Sequence, residues 1–249
     1  MTRPPVSDAT IRRVLDQRDV RIVYQPVVNL KTREVFAYEA LCRPPQGDFD
    51  GPLSLFAAAV EHSCTGQLGR MLREMSLVGC PSHRLFINIH PAELNEKWLV
   101  QPDDPIFNHD HDVYLEITEA VPLSHYEHCH GVLKEIRGRG IMLAVDDLGA
   151  GYSNLKYIAD LAPQVVKLDR QLIADLRAET RLQKLVTALV KLCDSLGAKV
   201  VAEGIETLEE MHAVIDTGAH FGQGYLFARP DLPAPKVDWK AITIPRPGK

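Results

Sequence analysis

Eight short stretches of this chain are rich in β-branched and aromatic side chains, and polar links or segments with a helical period run between them. They are Arg21–Val28, Val35–Arg43, Leu85–Ile89, Val113–Thr118, Ile141–Asp146, Val165–Asp169, Lys199–Glu203 and Gly222–Phe227. Leu182, Leu185, Val186, Leu189, Cys193 and Leu196 recur with helical spacing, which predicts a helix with these residues on its apolar face and Gly197 at its end. Thr207 with Glu210 forms a capping box that opens another helix, with Met211, Val214 and Ile215 on its apolar side and Gly218 after it. Val132, Leu133 and Ile136, closed by Gly138 and Gly140, mark a further one.

Strands alternating with helices predict an α/β protein with a parallel sheet. Eight such strands in this length predict a closed (β/α)8 TIM-like barrel more than an open, doubly wound sheet. One junction differs. Only Asn29–Glu34 separates the first two strands, whereas a parallel crossover needs about a dozen residues or more, so the first strand is expected to run antiparallel to the second. A single domain is expected over 1–249, with its core at about 10–230. The proline-rich stretch 231–249 has no helical period and reads as a C-terminal tail lying on the surface or partly disordered.

Composition narrows the class. The 249 residues, 45% hydrophobic and 24% charged, exclude a disordered or fibrous chain. Lys and Arg number 28 against 33 Asp and Glu, a net charge of −5, so the broad basic footprint of a duplex-DNA binder is missing. A small anionic ligand held through metal ions remains compatible. Cys42, Cys64, Cys80, Cys129 and Cys193 are scattered and never spaced C-x-x-C, which predicts reduced thiols in a cytoplasmic chain. Met1–Arg13 lacks the apolar core of a signal peptide, and no apolar run approaches the ~20 residues of a membrane span.

Chemistry enters with the polar residues that interrupt these strands. Glu39, Asn88, Glu116, Asp146, Lys167, Glu203 and Gln223 fall on seven different strands, mostly toward their C-terminal ends. Any one of these acids alone reads as a capped or ion-paired structural residue. The set is what carries information, because charged residues at the C-terminal ends of barrel strands converge on one mouth. Arg43 and Lys167 cannot neutralise these four carboxylates, and buried unpaired carboxylates cost several kcal/mol each. Bound divalent cations are the simplest compensation, and oxygen ligands suit Mg²⁺, Mn²⁺ or Ca²⁺ more than zinc. Lys167 at a strand end also admits a Schiff-base aldolase-like barrel. That chemistry wants a depressed lysine pKa, which neighbouring acids oppose.

The segments Tyr38-Glu39-Ala40-Leu41-Cys42-Arg43, Asn88-Ile89-His90-Pro91, Leu115-Glu116-Ile117-Thr118-Glu119, Asp146-Asp147-Leu148-Gly149, Val166-Lys167-Leu168-Asp169-Arg170, Val201-Ala202-Glu203-Gly204-Ile205-Glu206 and Gln223-Gly224-Tyr225 stand in an order and spacing that together resemble the EAL-domain cyclic di-GMP phosphodiesterases. The resemblance runs from Tyr24 to Phe227 and implies the irregular barrel reached above, together with hydrolysis of cyclic di-GMP to linear pGpG. It implies two divalent cations, Mg²⁺ or Mn²⁺, with Ca²⁺ inhibitory. Glu39, Asn88, Glu116 and Asp146 would bind the first metal. Asp146, Asp147 and Glu203 would bind the second. Lys167 and Gln223 would hold the attacking water, and Glu119 would anchor the loop Asp147 to Ser153. Leu41 and Arg43 would contact substrate, Arg43 at a phosphate, with Gln25 a further substrate contact. A homodimer is implied through the surface near the fifth and sixth barrel helices, where Tyr152, Leu155, Tyr157 and Ile158 follow that loop; at least half of these four are expected to pack within the barrel's own helix layer. A catalytically weak or inactive cyclic di-GMP receptor or docking module is the alternative. The chain departs from the family pattern in His90, where serine is usual, in Pro44, where tryptophan is common, in Ala150 for a frequent threonine, and across Pro45–Gly69.

Overall fold

The structure, a computed structural model, describes residues 6–95, 97–118, 123–150 and 155–242. Strands β1 (Arg21–Asn29), β2 (Val35–Arg43), β3 (Leu85–Asn88), β4 (Val113–Thr118), β5 (Met142–Leu148), β6 (Val165–Leu168), β7 (Lys199–Ala202) and β8 (Phe221–Gly222) close into a barrel in sequence order. The expected hairpin is present: β1 runs antiparallel to β2 and to β8, and the remaining neighbours are parallel. Its turn is built locally. Asn29 Oδ1 accepts the N–H groups of Lys31 and Thr32, both at 2.9 Å, and Arg33 takes a left-handed conformation.

Among the described residues, helices α1 (Asp8–Gln17), α2 (Pro52–Glu61), α3 (Thr65–Gly79), α4 (Leu123–Gly138), α5 (Lys156–Leu161), α6 (Arg170–Ile173), α7 (Arg181–Ser195) and α8 (Leu208–Thr217) accompany the strands, with three short 3₁₀ turns between β3 and β4. The capping box of Thr207 and Glu210 opens α8 as expected, with Gly218 left-handed at its end. The expected face of α7 needs correction. Val186, Val190 and Cys193 turn to the core, whereas Leu185, Leu192 and Leu196 are exposed. Both stripes satisfy a helical period, so spacing alone could not choose between them.

One other expectation changes, and one is narrowed to the first of its two readings. The last strand is much shorter than Gly222–Phe227, because the backbone leaves the sheet at Gln223 to pair with the turn after β7: Ile205 N–H donates to Gln223 O at 3.0 Å. Gly224 permits this approach, since a Cβ there would stand 2.0 Å from Ile205 O. Residues 231–242 are docked rather than loose. Asp231 exchanges backbone hydrogen bonds with Tyr24, Tyr38 Oη donates to Pro235 O at 3.0 Å, Trp239 meets Phe227, and Ile242 is buried. This strap lies on the outward side of the β1–β2 hairpin, whose link supplies no helix.

The apolar core has two parts. Outward-facing strand residues pack against the helices. Inside the barrel, Val27, Ala37, Phe86, Tyr114, Ala144, Val165, Val201 and Phe221 form one layer, one residue from each strand. None of the five cysteines is in a disulfide, and no helix among the described residues is long and apolar enough to cross a membrane.

Candidate active site

Side chains alternate faces along a strand, so the next inward position lies two residues from that apolar layer. Moving toward the C-terminal end of the parallel strands, and backwards along reversed β1, those positions are Gln25, Glu39, Asn88, Glu116, Asp146, Lys167, Glu203 and Gln223. One polar layer thus sits directly on one apolar layer. At its centre Lys167 is buried, with Nζ 2.6 Å from Glu116, 2.7 Å from Glu203 and 3.3 Å from both Glu39 and Asp146.

A network of amides fixes the wall beside it. Gln223 Nε2 donates to Glu39 Oε2 at 2.6 Å and to Gln25 Oε1 at 3.1 Å, while Asn88 Nδ2 donates to Glu39 Oε1 at 3.1 Å. Gln25 Nε2 in turn donates to Ala228 O at 3.1 Å. Both ends of the Gln25 amide are therefore engaged within the chain, beside Gln223. Arg43, at the end of β2, is exposed; its guanidinium reaches its neighbour's carbonyl, Cys42 O, and lies outside the acidic pocket. Glu119 lies outside the described residues, as do Tyr152 and the side chain of Tyr157; of the other two residues after the loop, Ile158 is buried and Leu155 exposed.

Asp146 and Asp147 are adjacent, yet both line the pocket. A regular strand would send them to opposite faces. Here β5 bulges: Val145 pairs with Val166 but Leu148 pairs with Leu168, which puts an extra residue on β5. Asp147 takes a left-handed φ of 60° within the bulge. The result brings carboxylate oxygens of Asp146, Asp147 and Glu203 within 4.8 Å of one another.

The electrostatics follow from burial. It pushes Glu116 well above the usual carboxylate range, aided by Glu39 and only partly opposed by Lys167. Burial raises Asp146 as well, Glu203 to about 8 and, together with the Asp146 charge, Asp147 to about 6. Burial acts the same way on Glu39, but Lys167 and the Gln223 and Asn88 amides overcome it and hold Glu39 low. Burial would depress Lys167, yet Asp146, Glu116, Glu203 and Glu39 lift it well above a normal lysine. One ammonium among five acids leaves the site short of positive charge. Glu116 Oε2 and Gln223 Oε1 are buried and accept no hydrogen bond among the described residues. Orphaned oxygens, excess negative charge and an all-oxygen donor set fit hard divalent cations.

The acidic pocket has a volume of about 330 Å³ and is also lined by Asp169, Arg170, Glu206 and Tyr225, to which sequence reading gave no defined role. Arg170 Nη1 lies 2.7 Å from both Gly204 O and Glu206 Oε1, bracing the turn that follows Glu203. Its partners lie more than thirty residues away in sequence, where local spacing gives no signal. A second cavity of about 510 Å³, largely apolar, shares Glu39 and Leu41 with the first and extends past Asn88 to Phe56, His90 and Arg43.

Fold and site together define a TIM-type barrel with a reversed first strand and a carboxylate-lined mouth. Residues 8–230 match the EAL domain family, and the chain belongs to it. It is 33% identical over 232 residues to Cyclic di-GMP phosphodiesterase PA2567 of Pseudomonas aeruginosa, covering 88% of this chain and 39% of that protein. It is 31% identical over 247 residues to Cyclic di-GMP phosphodiesterase RocR of the same organism, covering 91% and 61%. The chain thus spans less than two thirds of the length of these relatives. Among solved structures, Klebsiella pneumoniae BlrP1 in a manganese and cyclic di-GMP complex superposes with a TM-score of 0.75 at 31% identity, over 88% of this chain and 57% of that one. A calcium and cyclic di-GMP complex of the same protein gives 0.74 at 30% identity, over 86% and 56%.

Proposed function

We propose that this chain is a metal-dependent phosphodiesterase that hydrolyses cyclic di-GMP to linear pGpG. The observation that carries the proposal is the complete polar layer at the barrel mouth, with four carboxylates around one buried lysine in an EAL-family chain. Glu39, Asn88, Glu116 and Asp146 would hold one cation, and Asp146, Asp147 and Glu203 the other. Mg²⁺ or Mn²⁺ bound there supplies Lewis acidity toward the phosphodiester and acidifies water.

The chain's own groups have separable tasks. Lys167, kept protonated by its acids, is a donor and not a base: it orients the attacking water and stabilises negative charge on phosphate. The same charge removes the Schiff-base reading, which needs a free amine. Gln223 has its Nε2 committed to Glu39, so its free Oε1 is the face offered to water. Asn88 likewise donates through Nδ2 and keeps Oδ1 as a neutral oxygen ligand that limits the site's charge. Leu41 bounds the substrate beside Glu39, Arg43 meets a phosphate at the outer edge, and Glu119 anchors the loop after β5. The assembly is a homodimer through the face carrying α5 and α7, where Leu155, Leu185, Leu192 and Leu196 are exposed.

The test is incubation with cyclic di-GMP and Mn²⁺ or Mg²⁺ followed by chromatography, with pGpG the expected product. Ca²⁺ is expected to inhibit, because its looser coordination at about 2.3–2.6 Å suits a tight two-cation clamp poorly. Binding without product would install the receptor reading instead. Glu39→Ala and Asp146→Ala are expected to lose turnover with the fold retained, checked by circular dichroism. Arg43→Ala is expected to raise KM more than it lowers kcat.

A further inference from the structure

His90 has no role in the chemistry above, yet the fold holds it firmly. It stands two residues beyond Asn88, on the turn after β3, and its side chain lines the apolar cavity with Phe56, Leu41 and Ile89. Its backbone N–H donates to Glu93 Oε1 at 2.9 Å. Glu93 is itself locked by an ion pair to Arg73, whose guanidinium also holds Asp104 at 2.7 Å, all three side chains being buried. The imidazole lies against the Phe56 ring with centroids 5.3 Å apart and planes within 9°. Ala92 N–H donates to His90 Nδ1 at 3.2 Å.

That last contact sets the chemistry. An imidazole whose Nδ1 accepts a hydrogen bond carries its proton on Nε2. This Nε2–H has no partner among the described residues, and its ring is already fixed by stacking and by the Ala92 contact. The cavity therefore has a flat aromatic wall with a neutral donor held in a fixed ring plane. It also shares Glu39 and Leu41 with the acidic pocket, so a planar group seated in it leaves its attached phosphate beside the carboxylates. Purines differ on the edge such a donor would meet. Guanine presents N7 and O6, both acceptors, whereas adenine pairs its N7 acceptor with an N6 donor.

We propose that His90 is the base-reading residue of this site, donating from Nε2, in the plane of its ring, to O6 of a guanine seated beside the Phe56–His90 pair. The proposal rests on the cyclic di-GMP reading above and adds the residue that distinguishes guanine from adenine.

The full chain with Mn²⁺ is compared with its His90→Phe and His90→Gln variants, measuring KM for cyclic di-GMP and the inhibition constant of cyclic di-AMP. His90→Phe keeps an aromatic ring and loses the donor. It is expected to raise KM for cyclic di-GMP about five- to tenfold, as for one uncharged hydrogen bond, and to shrink the preference over cyclic di-AMP by a similar factor. His90→Gln, which restores an N–H, is expected to recover most of that preference. Should His90→Phe fail to fold by circular dichroism, the wild type decides with a 6-thioguanine cyclic dinucleotide, whose sulfur is a weak acceptor in place of O6 and for which a comparable rise in KM is expected. A preference unchanged in His90→Phe, or an unchanged KM for the 6-thio analogue, overturns the assignment while cyclic di-GMP hydrolysis stands. A wild type that neither binds nor hydrolyses cyclic di-GMP overturns the functional reading itself, and the His90 assignment with it.

Discussion

Lys167 is the countercharge of the polar layer, so its removal acts on stability and on chemistry by separate routes. Lys167→Ala leaves Glu39, Glu116, Asp146 and Glu203 without an ammonium within 3.3 Å. Breaking a buried ion cluster from one side costs about 3–5 kcal/mol. The chelated variant is expected to melt well below the wild type, and Mn²⁺ is expected to restore much of its Tm without restoring turnover; thermal scans with and without chelator check this. Protons give a second handle. Glu203 at about 8 and Asp147 at about 6 hold protons in the metal-free fold that the unfolded chain has already released at those pH values. A raised carboxyl pKa contributes stability that is fully present below the unfolded value and is lost as pH rises through the folded one. The metal-free protein is therefore expected to lose stability progressively between about pH 4.5 and about pH 8, while metal binding tightens and releases protons over the same interval. Glu203→Gln should flatten both trends, which calorimetry in buffers of different ionisation enthalpy would read directly.

At the level of elements, the tightest constraint is where the chain leaves β8. Gly224→Ala would drive a Cβ into the Ile205 backbone and displace Gln223, on which Glu39 and Gln25 both depend. A loss of about 2 kcal/mol or more is expected from such overpacking, with turnover falling further than stability; denaturant melts beside rate measurements separate the two. Much of this level was legible in the sequence. Seven of the eight strands appear close to their expected limits, and the antiparallel start followed from the shortness of Asn29–Glu34 alone. The period of two carried the site as well, since each polar layer residue stands two positions from an apolar one. What escaped depends on contacts distant in sequence. Nothing local in Gly222–Phe227 says that its backbone will pair with Ile205, and nothing in the leucines of α7 says which stripe faces inward. The docking of 231–242 escaped because proline removes helical period without removing apolar side chains such as Val237 and Trp239, which pack on the core.

For the whole molecule, the exposed leucines of α7 make assembly testable. The wild type is expected to sediment as a dimer and the double variant Leu185→Glu/Leu192→Glu as a monomer at the same concentration, with its melting temperature little changed because neither side chain is in the core. Equal sedimentation of both proteins would place the contact elsewhere. The reversed first strand has a different consequence. A parallel barrel sends every strand's following loop to the active face, but β1 brings its preceding segment there, with Arg21 level with Arg43. The short link from α1, Gln17–Arg21, consequently forms one bank of a groove of about 850 Å³ whose other bank is Arg43–Gln46 and Phe49–Pro52. Those last residues adjoin Leu53 and Phe56, the edge of the apolar cavity. The amino-terminal helix α1 is thus joined by five residues of backbone to the rim on the acidic side of the barrel, a connection that does not pass through the barrel.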